Sequence, residues 1–299
     1  MRFFKRPQMP AIFRDFQDFR AVAPPDFEVN FLGGLTRPEF CDVRTAATVL
    51  PASGEELFEF KSILEAAQAA GPCFTFVELG AGFGRWSCVA ALAARRLAKD
   101  YRLHMAEAEP QHLEWIPMHM ADNDISPAKY SIFPFAVGEA GTIPFYVEGP
   151  STLGAANARD WYGQSAVHAE YRDQLVEADG AYFGRPMKAL SNGFYSIDVE
   201  SRPLLDMIAG IDFIDLIDMD IQGSEADVIP ASIDFLKARV RRMHVETHSA
   251  EIEARLRALL IEQGWTIIHD FPQATKNVPT PYGPADFIGG LIDCVNPRV

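Results

Sequence analysis

The sequence predicts an α/β fold, a mostly parallel sheet with helices on both faces, preceded by an N-terminal extension. Three observations carry that expectation. From Cys73 onward, short apolar runs alternate with longer stretches of helical periodicity, the pattern of repeated β-α units. The first run ends in a glycine-rich turn, Gly80-Ala81-Gly82-Phe83-Gly84, that opens directly into an Ala-rich helix. Residues 1 to about 70 are different: they are rich in Phe and Pro and lack the alternation.

That extension, residues 1–70, holds one persuasive helix, Gly54 to Ala70, with Leu57, Phe60, Ile63 and Leu64 at helical spacing. It reads as a cap or arm packed on a main domain of residues 71–299. In the main domain, Phe74 to Leu79 reads as a strand and Arg85 to Lys99 as a helix. Leu103 to Glu109 is a second strand stopped by Pro110, with a helix following to about Asn123. Tyr130 to Val137 reads as a third strand. Thr142 to Glu148 reads as a hairpin strand bounded by Gly141 and Gly149-Pro150.

Ser151 to Lys188 shows no clear period and reads as loops and short helices that cover a site. Its aromatics Trp161, Tyr162, Tyr171, Tyr182 and Phe183 could stack on a sugar ring or pack the core of a lid. Phe213 to Met219 is the next strand, with a helix from about Gly223 and a second helical segment expected to start at Pro230. Val240 to Thr247 is another strand. The helix after it has Ser249 as N-cap, Glu251 and Glu253 in its first turn, and Gly264 as its stop. Trp265 to Asp270 and Asp286 to Cys294 close the sheet.

Bulk properties narrow the function. With 299 residues, 48% of them hydrophobic, the chain can bury a core without disulfides or a structural metal. Cys41, Cys73, Cys88 and Cys294 form no C-x-x-C pair and read as free thiols in a reducing compartment. A net charge of −14 argues against a nucleic-acid surface. The densest basic cluster, Arg239, Arg241 and Arg242, reads as a solvated edge. No run approaches the ~18 apolar residues of a membrane span, and Pro7, Pro10, Arg14 and Asp15 interrupt any signal-peptide core after Met1–Arg6. The expectation is a cytoplasmic protein with neither a nucleic-acid nor a membrane partner.

Glycines at 80, 82 and 84 suit a turn that takes positive φ or admits a ligand close to the backbone, at the strand ends where open α/β sheets bind ligands. A dinucleotide site needs G-x-G-x-x-G, and Arg85 stands where its third glycine belongs. Glu78 would oppose a pyrophosphate but suits the ammonium of S-adenosylmethionine. The spacing therefore favours the methyl donor over a dinucleotide. At the tip of the second strand, Glu109 is placed to accept hydrogen bonds from both ribose hydroxyls, with Glu107 deeper on the same side.

With these residues in place, the sequence resembles the FkbM family of methyltransferases. The resemblance rests on the E-x-G-x-G-x-G turn at 78–84, on Ala108-Glu109-Pro110, on Ala136-Val137-Gly138-Glu139, and on the run from Ile214 to Glu225, IDLIDMDIQGSE. It spans roughly residues 74 to 270. It implies a Rossmann-like class I methyltransferase fold of seven strands with the last antiparallel, and S-adenosylmethionine as cofactor, with Glu78, Gly80, Gly82, Gly84, Glu109 and Ala136 as its contacts. It also implies methyl transfer to oxygen, on a sugar, glycan or other small-molecule acceptor. The family usually has Lys where this chain has Asp218, so a metal or a substrate cation could take that cation's place.

Transfer to a hydroxyl needs the alcohol held close and its proton removed. Asp218 and Asp220 share one side of their strand, with Glu225 in the helical turn beyond, and His244, Glu246 and His248 share one side of the next strand. If those strands are neighbours, Asp220, Glu225 and His248 meet around one cleft. His248 is the candidate general base, because an unperturbed imidazole titrates near ~6.5. Asp220 would orient it or bind the acceptor, and Glu225 would fix the loop or the substrate. A divalent metal on Asp218, Asp220 and His248 is an alternative use of the same groups. A non-catalytic cofactor-binding or scaffold protein is the competing class, although it has no need of this acceptor cluster.

Overall fold

The computed structural model describes residues 9–16, 24, 27–40, 51, 54–147, 165–191 and 193–299. Cys41, Trp161 and Tyr162 lie outside them. The chain begins with α1 (Ile12–Phe16), the short pair β1 (Glu28–Val29) and β2 (Leu35–Thr36), and α2 (Glu55–Ala69). Then come β3 (Cys73–Leu79), α3 (Arg85–Arg96), β4 (Asp100–Ala106), α4 (Pro110–Asp122) and β5 (Tyr130–Phe133). Strands β6 (Ala136–Val137), β7 (Gly141–Val147), β8 (Val176–Tyr182), β9 (Arg185–Ala189) and β10 (Tyr195–Arg202) follow. The chain returns through β11 (Leu216–Met219), α5 (Glu225–Arg239), β12 (Arg242–Thr247), α6 (Ala250–Glu262) and β13 (Thr266–Phe271). It ends with β14 (Thr275–Thr280), β15 (Gly283–Phe287) and β16 (Gly290–Val295).

Seven strands form the main sheet in the order β13-β16-β12-β11-β3-β4-β5. Only β16, the last strand of the chain, runs antiparallel to its neighbours. This is the order and the single reversed strand of a class I methyltransferase fold. Side chains alternate across each strand, so Phe74, Phe76 and Leu216 pack against α2 and α3 on one face. Val77, Leu79, Ile217 and Met219 pack on the other face, with Val228, Ile229 and Leu236 of α5 and Leu256 and Leu260 of α6. Phe13, Phe16 and Phe31 join the first of these cores, so the N-terminal elements share apolar burial with the sheet.

Four local expectations change. Tyr130–Val137 is not one strand, because Pro134 has no N–H to continue the ladder; β5 stays in the main sheet and β6 moves to another. The helix after Gly223 runs unbroken through Pro230, which sits in its second turn while Val228, Ile229 and Leu236 anchor the segment to the sheet. Asp286–Cys294 divides at Ile288-Gly289, with β15 pairing β14 in a separate hairpin. β7 pairs antiparallel with the distant β10 rather than with a sequence neighbour.

The second sheet has the order β6-β10-β9-β8, with β7 also on β10. Strands β8 and β9 fall where loops and short helices were expected. Most residues of β8 are exposed, so no apolar alternation marks it in the sequence. This sheet stands beside the carboxyl ends of β3, β4 and β11, and Ala136, Ile143 and Phe145 face the space between. No helix among the described residues is long and apolar enough to cross a membrane.

Candidate active site

The turn after β3 is set by backbone contacts that only glycine permits. Gly80 has φ +81°, and a Cβ there would sit 1.9 Å from the carbonyl oxygen of Asp220. Gly84 has φ +78°, and its Cβ would meet Met120 Cε at 2.9 Å, so α3 begins in close contact with α4. Glu78 lies beneath this turn, almost wholly buried. Its carboxylate accepts from Ser87 N at 2.9 Å, Trp86 N at 3.2 Å and the Ser87 hydroxyl. Burial pushes its pKa up to about 8, against the pull of those donors. Glu78 therefore anchors the first turn of α3, and the bonds that do so keep it off the cavity wall.

Gly80, Gly82 and Ala136 line a cavity at the ends of β3 and β4, with Phe135, Ile143 and Phe145 as apolar wall. The acids on this wall are Asp220 and, at the end of β4, Glu107. Oε2 of Glu107 accepts from Gly82 N at 2.6 Å, and its Oε1 from Ala108 N and Glu109 N, each at 2.7 Å. Glu109 is turned away and fully buried. It caps α4 by accepting from His112 N at 2.7 Å, and it accepts from the Tyr182 hydroxyl at 2.6 Å. Pro110 starts a helix at this point, and the N-cap position claims the Glu109 side chain, which the strand-tip argument did not anticipate.

A second cleft opens between α2 and the tips of β11 and β12, lined by Asp218, Asp220, Glu246 and His248 and by Glu55 and Glu59 of α2. Asp220 follows β11 and is tied by its N–H to the Leu79 carbonyl at 2.9 Å. Its Oδ1 accepts from Gln222 Nε2 at 2.7 Å and lies 3.2 Å from His248 Nε2. Glu225 is fully buried. It accepts from Ile221 N at 3.0 Å and Gly223 N at 2.9 Å, which closes the 220–225 loop, and its Oε1 lies 3.2 Å from His248 Nδ1. The fold thus brings Asp220, Glu225 and His248 together.

Burial alone would lower the pKa of His248. Its contacts with Asp220 and Glu225, and their charges, outweigh burial and push it up to about 10. The imidazole is therefore held protonated at neutral pH. This corrects the expectation of a general base near its unperturbed value, since a ring between two carboxylates has no lone pair to accept a proton.

Four acids of the cleft, Glu55, Glu59, Asp218 and Glu246, carry raised pKa values. Burial is the main cause for Glu59, Asp218 and Glu246, and neighbouring carboxylates add to it: Asp218 and Glu246 act on Glu59, Glu78 on Asp218, and Asp220 on Glu246. Glu55 and Glu59 were not singled out in the sequence, although their four-residue spacing puts both on one stripe of the predicted helix. The basic cluster is consumed internally: Arg242 pairs with Asp293 and Glu65, and Arg241 with Asp215.

Over residues 78–266 the sequence matches the family described as Methyltransferase FkbM domain. A relative from Jannaschia sp. (strain CCS1), which bears the name "Putative methyltransferase", is 24% identical over 284 residues. That alignment covers 89% of this chain and 91% of the relative. Among solved structures, methyltransferase FkbM from Methylobacillus flagellatus KT is similar with a TM-score of 0.43 at 13% identity, covering 74% of this chain and 44% of that one. The precorrin-6y C5,15-methyltransferase from Geobacter metallireducens GS-15 has a TM-score of 0.40 at 10% identity, covering 79% of this chain and 86% of that one.

Proposed function

The chain belongs to the FkbM methyltransferase family, and from that premise we propose that it is an S-adenosylmethionine-dependent O-methyltransferase acting on a hydroxyl of a sugar, glycan or other small molecule. One observation carries this reading. Gly80, Asp220 and Gln222 line both the cavity beside the glycine turn and the acidic cleft. A donor in the first space and an acceptor in the second would meet at Asp220.

The residues present fit such a donor. The apolar wall of Phe135, Ile143 and Phe145 suits a heteroaromatic ring, and Glu107 offers a carboxylate for ribose hydroxyls. Gly80 and Gly82 present bare backbone on the cavity wall, where a ligand can approach the chain closely. When bound, S-adenosylmethionine supplies an electrophilic methyl group on a sulfonium.

The chain's own task is to hold the alcohol and take its proton. Oδ1 of Asp220 is engaged by Gln222 and His248, which leaves Oδ2 for the acceptor hydroxyl. As the alcohol oxygen gains the methyl group, its proton passes to Oδ2 of Asp220. The His248 imidazolium keeps the Asp220 carboxylate oriented, and Glu225 fixes the loop that carries both. Turnover of the Asp220→Asn protein, measured beside its donor affinity, tests this assignment. Loss of turnover with binding retained is expected, and unchanged turnover would overturn it.

A further inference from the structure

We propose that the floor of the acidic cleft is a binding site for one divalent first-row transition ion, held by Glu59, Asp218 and His244. Each residue offers one ligand atom, and these atoms all lie within 4.8 Å of one another. The three come from α2, β11 and β12, and the parallel pairing of β11 with β12 sets Asp218 directly beside His244.

His244 is the observation that points to a ligand. It is 1% exposed, and neither ring nitrogen has a hydrogen-bond partner among the described residues. Unpaired polar atoms in the interior are costly, and ligation would satisfy one of these two.

Charge argues the same way. Glu59 and Asp218 are buried carboxylates with ligand atoms within 4.8 Å of each other. The cations near the cleft are already engaged, Arg85 by Glu56 and His248 by Asp220 and Glu225. A divalent ion would supply the missing counter-charge. One imidazole with two carboxylates suits Mn²⁺, Fe²⁺, Co²⁺ or Zn²⁺ better than the all-oxygen preference of Ca²⁺ or Mg²⁺. The neighbouring group Asp220, Glu246 and His248 is equally compact, but both ring nitrogens of its imidazole already face carboxylates, Asp220 and Glu225. Glu59 lies outside the matched residues 78–266, so the N-terminal segment would complete the site.

The test is a titration of the full chain, freed of metal by a chelator, with Co²⁺ followed by visible absorption and with Mn²⁺ followed by calorimetry. One ion per chain is expected. Glu59→Gln and His244→Gln should each weaken binding at least about tenfold, while His248→Gln should leave it nearly unchanged. Circular dichroism establishes that each variant is folded. Because His244 is in the core, pulsed electron paramagnetic resonance of Mn²⁺ on the wild-type chain gives a second readout, with nitrogen coupling from one directly bound imidazole expected. Absence of saturable binding, binding untouched by Glu59→Gln, or loss in His248→Gln alone would each overturn the proposal. The readout is ion binding, so its failure would leave the methyl-transfer proposal standing.

Discussion

Nε2 of His248 lies 3.2 Å from Oδ1 of Asp220, across the tips of two parallel neighbouring strands. Asp220 also closes on the glycine turn, where its carbonyl occupies the space a Gly80 side chain would need. One residue therefore links the donor cavity, the acceptor cleft and a charged imidazole.

Asp220→Asn keeps the shape of the loop but removes the proton acceptor. Turnover is expected to fall by about 10²–10⁴-fold, the usual contribution of a positioned general base. Donor affinity, read by calorimetry, should change far less than turnover. A parallel loss of both would place Asp220 in donor binding alone.

His248 gives a signed pH dependence. Its folded value of about 10 lies above that of a free imidazole, so the folded state holds a proton that the unfolded chain releases. The stabilisation is complete below pH ~6.5. It is lost as pH rises through that folded value. Melting temperatures of wild type and His248→Gln should differ most at pH 6 and converge toward pH 10. A difference that grows with pH would contradict the ion pairing.

Gly80→Ala tests the close approach of the turn to β11. A Cβ 1.9 Å from a backbone oxygen, at φ +81°, forces the turn to move. The expected cost is about 2–3 kcal/mol, seen as a melting temperature lower by several degrees, together with weakened donor binding. A wild-type melt would show that the two loops have room to part.

Glu107 and Glu109 separate cleanly by experiment. Glu107→Gln should weaken donor binding about tenfold, because Glu107 is the acid at the β4 end of the cavity wall, where Glu109 does not reach. Glu109→Gln should leave affinity intact and cost about 1 kcal/mol of stability through the weakened cap on α4. The reverse pattern would restore Glu109 as the ribose partner.

Much of the fold was legible because its signals are local. The Gly80–Gly84 turn, the cap at Ser249, whose hydroxyl accepts from Ile252 N, and the apolar runs of β3 and β11 all mark themselves in sequence. The second sheet was not legible, because its β8 is mostly exposed and β7 finds its partner in β10, about fifty residues on.

The site shows the same division. The meeting of Asp220 with His248 follows from strand adjacency and a two-residue period, both readable in advance. What Glu78 and Glu109 do depends on which backbone donors lie nearest: the starts of α3 and α4 claim both carboxylates. Glu59 joins the cleft only through the docking of α2 on the sheet, a tertiary contact that no local pattern reports.

The most direct test of the central claim is calorimetric titration of the full chain with S-adenosylhomocysteine, the demethylated donor. The account predicts saturable binding at one site per chain, weakened by Glu107→Gln and retained by His248→Gln. No detectable binding at millimolar ligand, with the chain folded, would contradict it.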